Sequence, residues 1–146
     1  MDKQTFIENI KSKFPDEVKT TEVIRNKRIL VDIDPKALLN IAGYLFKNLR
    51  YRFIIASAYH TKKGFEILYH FSDDKAGNII NLHVILPQDK PEIDSLANMF
   101  SGANWIEREM HEILGITFIN HPEPEKLISE GNWAEGVYPY RKNFKS

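Results

Sequence analysis

The chain contains no cysteine in 146 residues. Disulfides, thiol nucleophiles and cysteine-ligated zinc, iron–sulfur or nickel centres are therefore excluded within it. Neither charge is in excess, because twenty Lys and Arg balance twenty Asp and Glu. No surplus of positive charge exists to neutralise phosphates, which argues against nucleic-acid binding. No apolar run approaches the length of a membrane span, and the opening residues Met1 to Phe6 lack an apolar signal region, so a soluble cytoplasmic chain is expected. Gly77, Gly102 and Gly115 stand alone, so there is no glycine-rich phosphate loop. Ser57, Ser72 and Ser101 lack a nucleophile elbow.

What remains is the composition of an ordinary globular protein, 42% hydrophobic and 12% aromatic, with enough length for one domain and its core. Residues 4–14 place Phe6, Ile7, Ile10 and Phe14 at helical spacing before Pro15. Residues 17–25 and 28–33 read as strands around an Asn26-Lys27 turn. Asp34-Pro35 then starts a second helix, with Asp as N-cap and Pro at the first helical position. Leu38, Ile41, Ala42, Leu45, Phe46 and Leu49 form its apolar stripe.

Three strands follow. The first, 51–59, places Phe53, Ile55 and Ser57 on one face. The second alternates through Phe65, Ile67, Tyr69 and Phe71, and the third through Ile80, Leu82, Val84 and Leu86. Residues 91–99 read as a short helix. The order α-β-β-α-β-β-β, plus a C-terminal helix and tail, predicts an α+β two-layer sandwich. Helices would pack on one face of a mixed, mostly antiparallel sheet.

The helix over 104–115 has a legible start and stop. Asn104 suits the N-cap with Glu107 three residues on, and Gly115 suits the left-handed position after the last turn. Ile106, Met110, Ile113 and Leu114 read as its buried stripe. Glu107, Arg108, Glu109, His111 and Glu112 fall on the other faces, either as a solvated surface or as an ion network facing a partner. His111-Glu112 begins like a zincin motif, but position 115 is Gly, so the motif fails. His70 and His83 are expected as diagonal neighbours on the outer sheet face, a conceivable two-histidine metal site but more simply surface histidines. His60 and His121 read as loop residues. No catalytic or metal-binding residue is assigned.

Beyond Gly115 the chain alternates aromatics with helix breakers: Phe118, Trp133, Tyr138, Tyr140 and Phe144 among Pro122, Pro124, Gly131, Gly136 and Pro139. Such a tail must lie on its own domain or on a partner. Large aromatics beside Arg141 and Lys142 are the composition of interface hot spots. The division expected is a globular domain over 1–115 and an extended partner-binding tail over 116–146.

The run from Asn104 to Phe118, followed by His121-Pro122, Asn132-Trp133 and Tyr138 to Phe144, resembles the C subunit of respiratory complex I. It also resembles the matching subunit of energy-converting membrane-bound nickel–iron hydrogenases. The family pattern reads roughly W-x-E-R-E-x-x-D-x-F-G-I-x-F-x-G-H-P, then a Trp, then P-L-R-K-D-Y/F. Trp105, Glu107, Arg108, Glu109, Gly115, Phe118, His121, Pro122, Trp133, Pro139, Arg141 and Lys142 match it. The departures are Glu112 for Asp, Leu114 for an aromatic, Asn120 for Gly, Tyr140 for Leu and Asn143 for Asp. Gly136 to Pro139 and the short N-terminus lean toward the hydrogenase branch.

The resemblance implies a non-catalytic structural subunit of the peripheral arm of a respiratory-type oxidoreductase. Such a subunit docks the large catalytic subunit near the iron–sulfur small subunit. Nickel, iron–sulfur clusters or quinone would belong to those partners, with no cofactor in this chain. The chain would reach the membrane only through its complex, on the cytoplasmic side. The candidate partner-binding residues are Trp105, Glu107, Arg108, Glu109 and Glu112 on the helix. Those beyond it are His121, Trp133, Tyr138, Tyr140, Arg141, Lys142 and Phe144. The rival reading is a stand-alone binding or enzyme domain that reuses the fold.

Overall fold

The computed structural model describes residues 2–122, so the tail aromatics and Arg141-Lys142 lie outside the described residues. The elements run α1 (Lys3–Lys13), β1 (Val18–Arg25), β2 (Arg28–Ile33), a 3-10 turn (Pro35–Ala37), α2 (Leu38–Gly43), a π-helical turn (Tyr44–Asn48), β3 (Arg52–Thr61), β4 (Gly64–Asp73), β5 (Asn78–Leu86), β6 (Glu92–Asp94), α3 (Ser101–Leu114) and β7 (Thr117–Ile119). This is the α+β arrangement expected, with a mostly antiparallel five-stranded sheet ordered β1-β2-β5-β4-β3. The contact between β2 and β5 is parallel, because α2 and the β3–β4 hairpin intervene in the chain. A separate two-stranded sheet pairs β6 with β7, also in parallel.

The described residues group into two compact units. The first is 2–57 with 67–84, and the second is 58–66 with 85–122. In the first unit the register places Ile29 opposite Ile80 and Val31 opposite Leu82. Period-two alternation therefore stacks the apolar side chains of neighbouring strands on one face. Those residues, with Ile67, Tyr69 and Phe71, are buried together with Phe6, Ile7 and Ile10 of α1 and Leu38, Ile41 and Ala42 of α2. Asp2 caps α1 by accepting from the Thr5 N–H, and Asp34 accepts from the Lys36 N–H at 3.0 Å.

Four local expectations need correction. The stripe ending at Phe46 and Leu49 presumes α-helix, but the chain widens to a π-helical turn from Tyr44, and Phe46 faces solvent. On β3 the buried side switches from Phe53, whose ring meets Phe71 edge-on, to Ala56; Ile54 and Ile55 are both exposed. Residues 92–94 are a strand, not a helix, because β7 supplies its hydrogen-bond partners. His60 lies within β3 and stacks on Phe65 at 4.4 Å.

Candidate functional site

The second unit contains the run that carried the resemblance. Its helix begins four residues earlier than the Asn104 cap implies. Phe100 occupies the N-cap with no side-chain cap bond, and the Asn104 carbonyl instead receives a ring N–H from His121 at 3.1 Å. The stop is as expected: Gly115 adopts φ 79°, a left-handed value open to glycine, and its N–H closes on the His111 carbonyl.

The buried face of α3 differs from the expected stripe. Ala103, Met110 and Leu114 are buried, Ile106 and Ile113 only partly, and two carboxylates, Glu107 and Glu112, are 1% exposed. Hydropathy assigns such residues to water, yet the fold supplies Glu107 with partners. The Ser95 hydroxyl donates to Oε1 at 2.5 Å and the Leu96 N–H to Oε2 at 2.8 Å. Ser95 also accepts from the Ala97 N–H, so the turn after β6 wraps the carboxyl head. Burial outweighs these donors and pushes the Glu107 carboxyl up to about 7.

The segment following Gly115 closes the site. Ile116 and Phe118 are buried, so the boundary expected at 115 falls inside this unit. His111 Nδ1 donates to the Ile116 carbonyl at 2.9 Å, and the Ser95 N–H to the Ile119 carbonyl at 2.9 Å. Asn120 adopts φ 64°. After glycine, asparagine is among the residues that best tolerate left-handed backbone, which accounts for Asn where the resembled pattern has Gly. That turn delivers His121, whose side chain is 3% exposed, to within 3.8 Å of Glu107 Oε1. Glu107, Arg108, His111, Thr117, Phe118 and His121 line a cavity of about 60 Å³.

Of the helix candidates, Glu107 and Glu112 are thus internal, Arg108 is half-buried, and Glu109 and Trp105 are exposed. Trp105 leaves 56% of its surface to solvent. Trp133, Tyr138, Tyr140, Arg141, Lys142 and Phe144 lie outside the described residues. In the first unit each of the two histidines has a partner of its own. His70 bonds Asn81, while His83 bonds Asp32, which also accepts from Thr20. Each imidazole takes its partner from the neighbouring strand. Among the described residues no group of three His, Asp or Glu could hold a metal ion.

A model of the respiratory-chain NADH dehydrogenase 30 kDa subunit matches residues 31–146. The chain belongs to that family. As a 30 kDa subunit family member it is a subunit of the complex-I type of respiratory oxidoreductase. It is 30% identical to the C subunit of the F420H2 dehydrogenase of Methanosarcina mazei, over 99% of this chain and 93% of that protein. It is likewise 30% identical to the C subunit of the NADH-quinone oxidoreductase of Xanthobacter autotrophicus, over 84% of this chain and 60% of the relative. Two solved structures share the fold. The membrane-bound sulfane sulfur reductase, an archaeal respiratory membrane complex, contains a chain with TM-score 0.81 and 20% identity, covering 97% of this chain and 85% of that one. The trypsin-resistant fragment of Nqo5 gives TM-score 0.69 and 16% identity over 82% of this chain and 97% of the fragment.

Proposed function

We propose that this 30 kDa subunit is a non-catalytic docking subunit that holds the large catalytic subunit of its oxidoreductase, beside the iron–sulfur small subunit. In this reading the redox centres and the quinone or nickel chemistry belong to those partners. The chain then sits on the cytoplasmic side of the membrane through the complex; no described helix is long and apolar enough to cross one. The observation that carries the reading is Trp105. The helix turns two carboxylates inward and leaves its one tryptophan in water. An indole exposed beside Arg108 and Glu109 fits an interface anchor with a charged rim.

A substrate-binding reading fits the same unit poorly. Glu107, His111 and His121 do converge, but around a cavity of about 60 Å³, whereas ligand pockets span roughly 300–1,000 Å³. The test is co-purification of the tagged chain from its native cells. Wild type is expected to bring down the large subunit. Trp105→Ala is expected to weaken that capture tenfold or more, by about 1.4 kcal/mol, with its own denaturation midpoint unchanged. Equal capture by both proteins would refute the docking face.

A further inference from the structure

We propose that the exposed face of α2 and of the π-helical turn after it is a second docking surface, one that takes an acidic segment of another subunit of the complex. The chain has zero formal charge, yet residues 35–57 hold four cations, Lys36, Lys47, Arg50 and Arg52, and no carboxylate. Arg52 is taken up by Asp74 at 3.1 Å. The inner side of this stretch buries Leu38, Ile41, Ala42 and Leu45. Helical periodicity puts Lys36, Leu39, Asn40, Phe46 and Lys47 on the outer side, and all five are exposed. Leu39 and Phe46 each leave 38% of their surface in water. The face is thus apolar at two points, positive around them, and free of acids from its own segment.

The end of the helix concentrates these features. The Leu49 N–H closes on the Tyr44 carbonyl at 3.1 Å, the wide spacing of a π turn, and the Tyr51 N–H returns to the Leu45 carbonyl at 2.9 Å. Single π turns inside helices are frequent at functional sites. Arg50, between those two bonds, adopts φ 62°. That is the position after a last helical turn, where glycine costs nothing and an arginine is strained. Phe46, Lys47 and Arg50 line a notch of about 340 Å³. Cations at a helix C-terminus complement its dipole, which accounts for Lys47 and Arg50 as charges. It does not account for the two exposed apolar side chains, or for an arginine where the backbone favours glycine.

Charge selects the occupant. A second copy would set this positive face against itself, so self-association is disfavoured. Two apolar side chains are too few to anchor a helix in a lipid surface. Three exposed side chains around an open notch do not enclose a free small anion, since ligand pockets cover most of their ligand. An acidic segment of a neighbouring subunit meets each feature. A carboxylate enters the notch between Lys47 and Arg50, and apolar side chains cover Leu39 and Phe46. The proposal rests on the chain being one subunit of several. It does not rest on Trp105, which belongs to the other compact unit.

The test uses the complex purified from its native cells on a tagged copy of the chain. A carbodiimide, which joins an amine to a carboxylate only where the two touch, is expected to couple Lys47 to an Asp or Glu of another subunit, identified by peptide mass spectrometry. Arg50→Gly combined with Lys47→Gln removes both charges and relieves the left-handed backbone. The isolated variant should keep or raise its thermal midpoint. In the complex it should release partner subunits about tenfold faster than wild type. Coupling of Lys47 only within its own chain or to a second copy overturns the proposal. So does an absence of coupling, or partner release at the wild-type rate in the variant. Trp105→Ala is measured in parallel. If it alone speeds release, this face is refuted and the Trp105 reading stands; if the charge variant alone does so, the reverse holds.

Discussion

Glu107 sits where its own charge is disfavoured, and that has a thermodynamic consequence. Its carboxyl is raised from 4.5 to about 7 in the folded chain, chiefly by burial. The native state therefore binds this proton more tightly than the unfolded state. The group's contribution is full below about 4.5, falls as pH rises toward 7, and stays lost above it. At 1.36 kcal/mol per unit the loss is about 3 kcal/mol. Urea midpoints measured from pH 4.5 to 8 should show this decline in the wild type and a flatter profile in Glu107→Gln. Parallel profiles for the two proteins would show that Glu107 ionises without penalty. The burial of Glu107 and Glu112 is the part of the site least legible in the sequence. Helical periodicity combined with side-chain polarity read Ile106, Met110, Ile113 and Leu114 as the buried stripe and assigned both carboxylates to the other faces, whereas the buried side holds Glu107 and Glu112 with Met110 and Leu114. What reverses that inference is the Ser95–Ala97 turn, which is remote in sequence and aims donors from Ser95, Leu96 and Ala97 at one carboxyl. Arg108, by contrast, is half-buried, so the large penalty expected for breaking a fully enclosed arginine network does not apply to it.

Among the elements, those with strict alternation were the most legible. β4 and β5 bury every inward residue that the pattern named, from Phe65 to Phe71 and from Ile80 to Leu86. Elements defined by tertiary partners were not legible. The three residues of β6 are too few to display a period, and their strand character comes from β7, which lies 25 positions on in the register Glu92 to Thr117. The π-helical turn at Tyr44–Asn48 likewise has no signature in its residue types.

Two turn positions make predictions at this scale. Gly64 has φ 132°, and a Cβ there would lie 2.1 Å from the Leu86 carbonyl oxygen. Backbone cannot yield as a side chain can, so Gly64→Ala should destabilise by about 2 kcal/mol or more and lower the thermal midpoint by about 5 °C or more. A midpoint within about 1 °C of wild type would mean that the β3–β4 turn relaxes freely. Asn120→Gly should be neutral or mildly stabilising at φ 64°, whereas Asn120→Val should lose about 1–2 kcal/mol for a branched left-handed residue. Chemical denaturation of the pair checks that ordering.

At the scale of the whole molecule, the resemblance in the last third of the sequence led to the family. The division of the chain was less legible. One globular body ending at 115 was expected, yet the β3–β4 hairpin tip and residues 85–122 group as a unit of their own. Contacts that create such a unit join positions far apart in sequence, and no local pattern encodes them. The segment following Gly115 also constrains where the chain can be cut. Truncation after Phe118 removes the Ile119 carbonyl that receives Ser95, the Asn120 carbonyl that receives Asn98, and His121 itself. Three lost hydrogen bonds and an opened Glu107 predict a loss of about 2–4 kcal/mol. Truncation after Pro122 keeps all of these groups, so the difference in stability between the two truncations measures what residues 119–122 contribute. If the residues beyond Pro122 serve docking, both truncations should lose the large subunit in co-purification, and the shorter one should also be the less stable of the two. Full capture of the large subunit by the chain ending at Pro122 would move the docking surface off the tail and onto Trp105 and its neighbours. A stability loss shared equally by both truncations would instead place residues 123–146 among the supports of the fold.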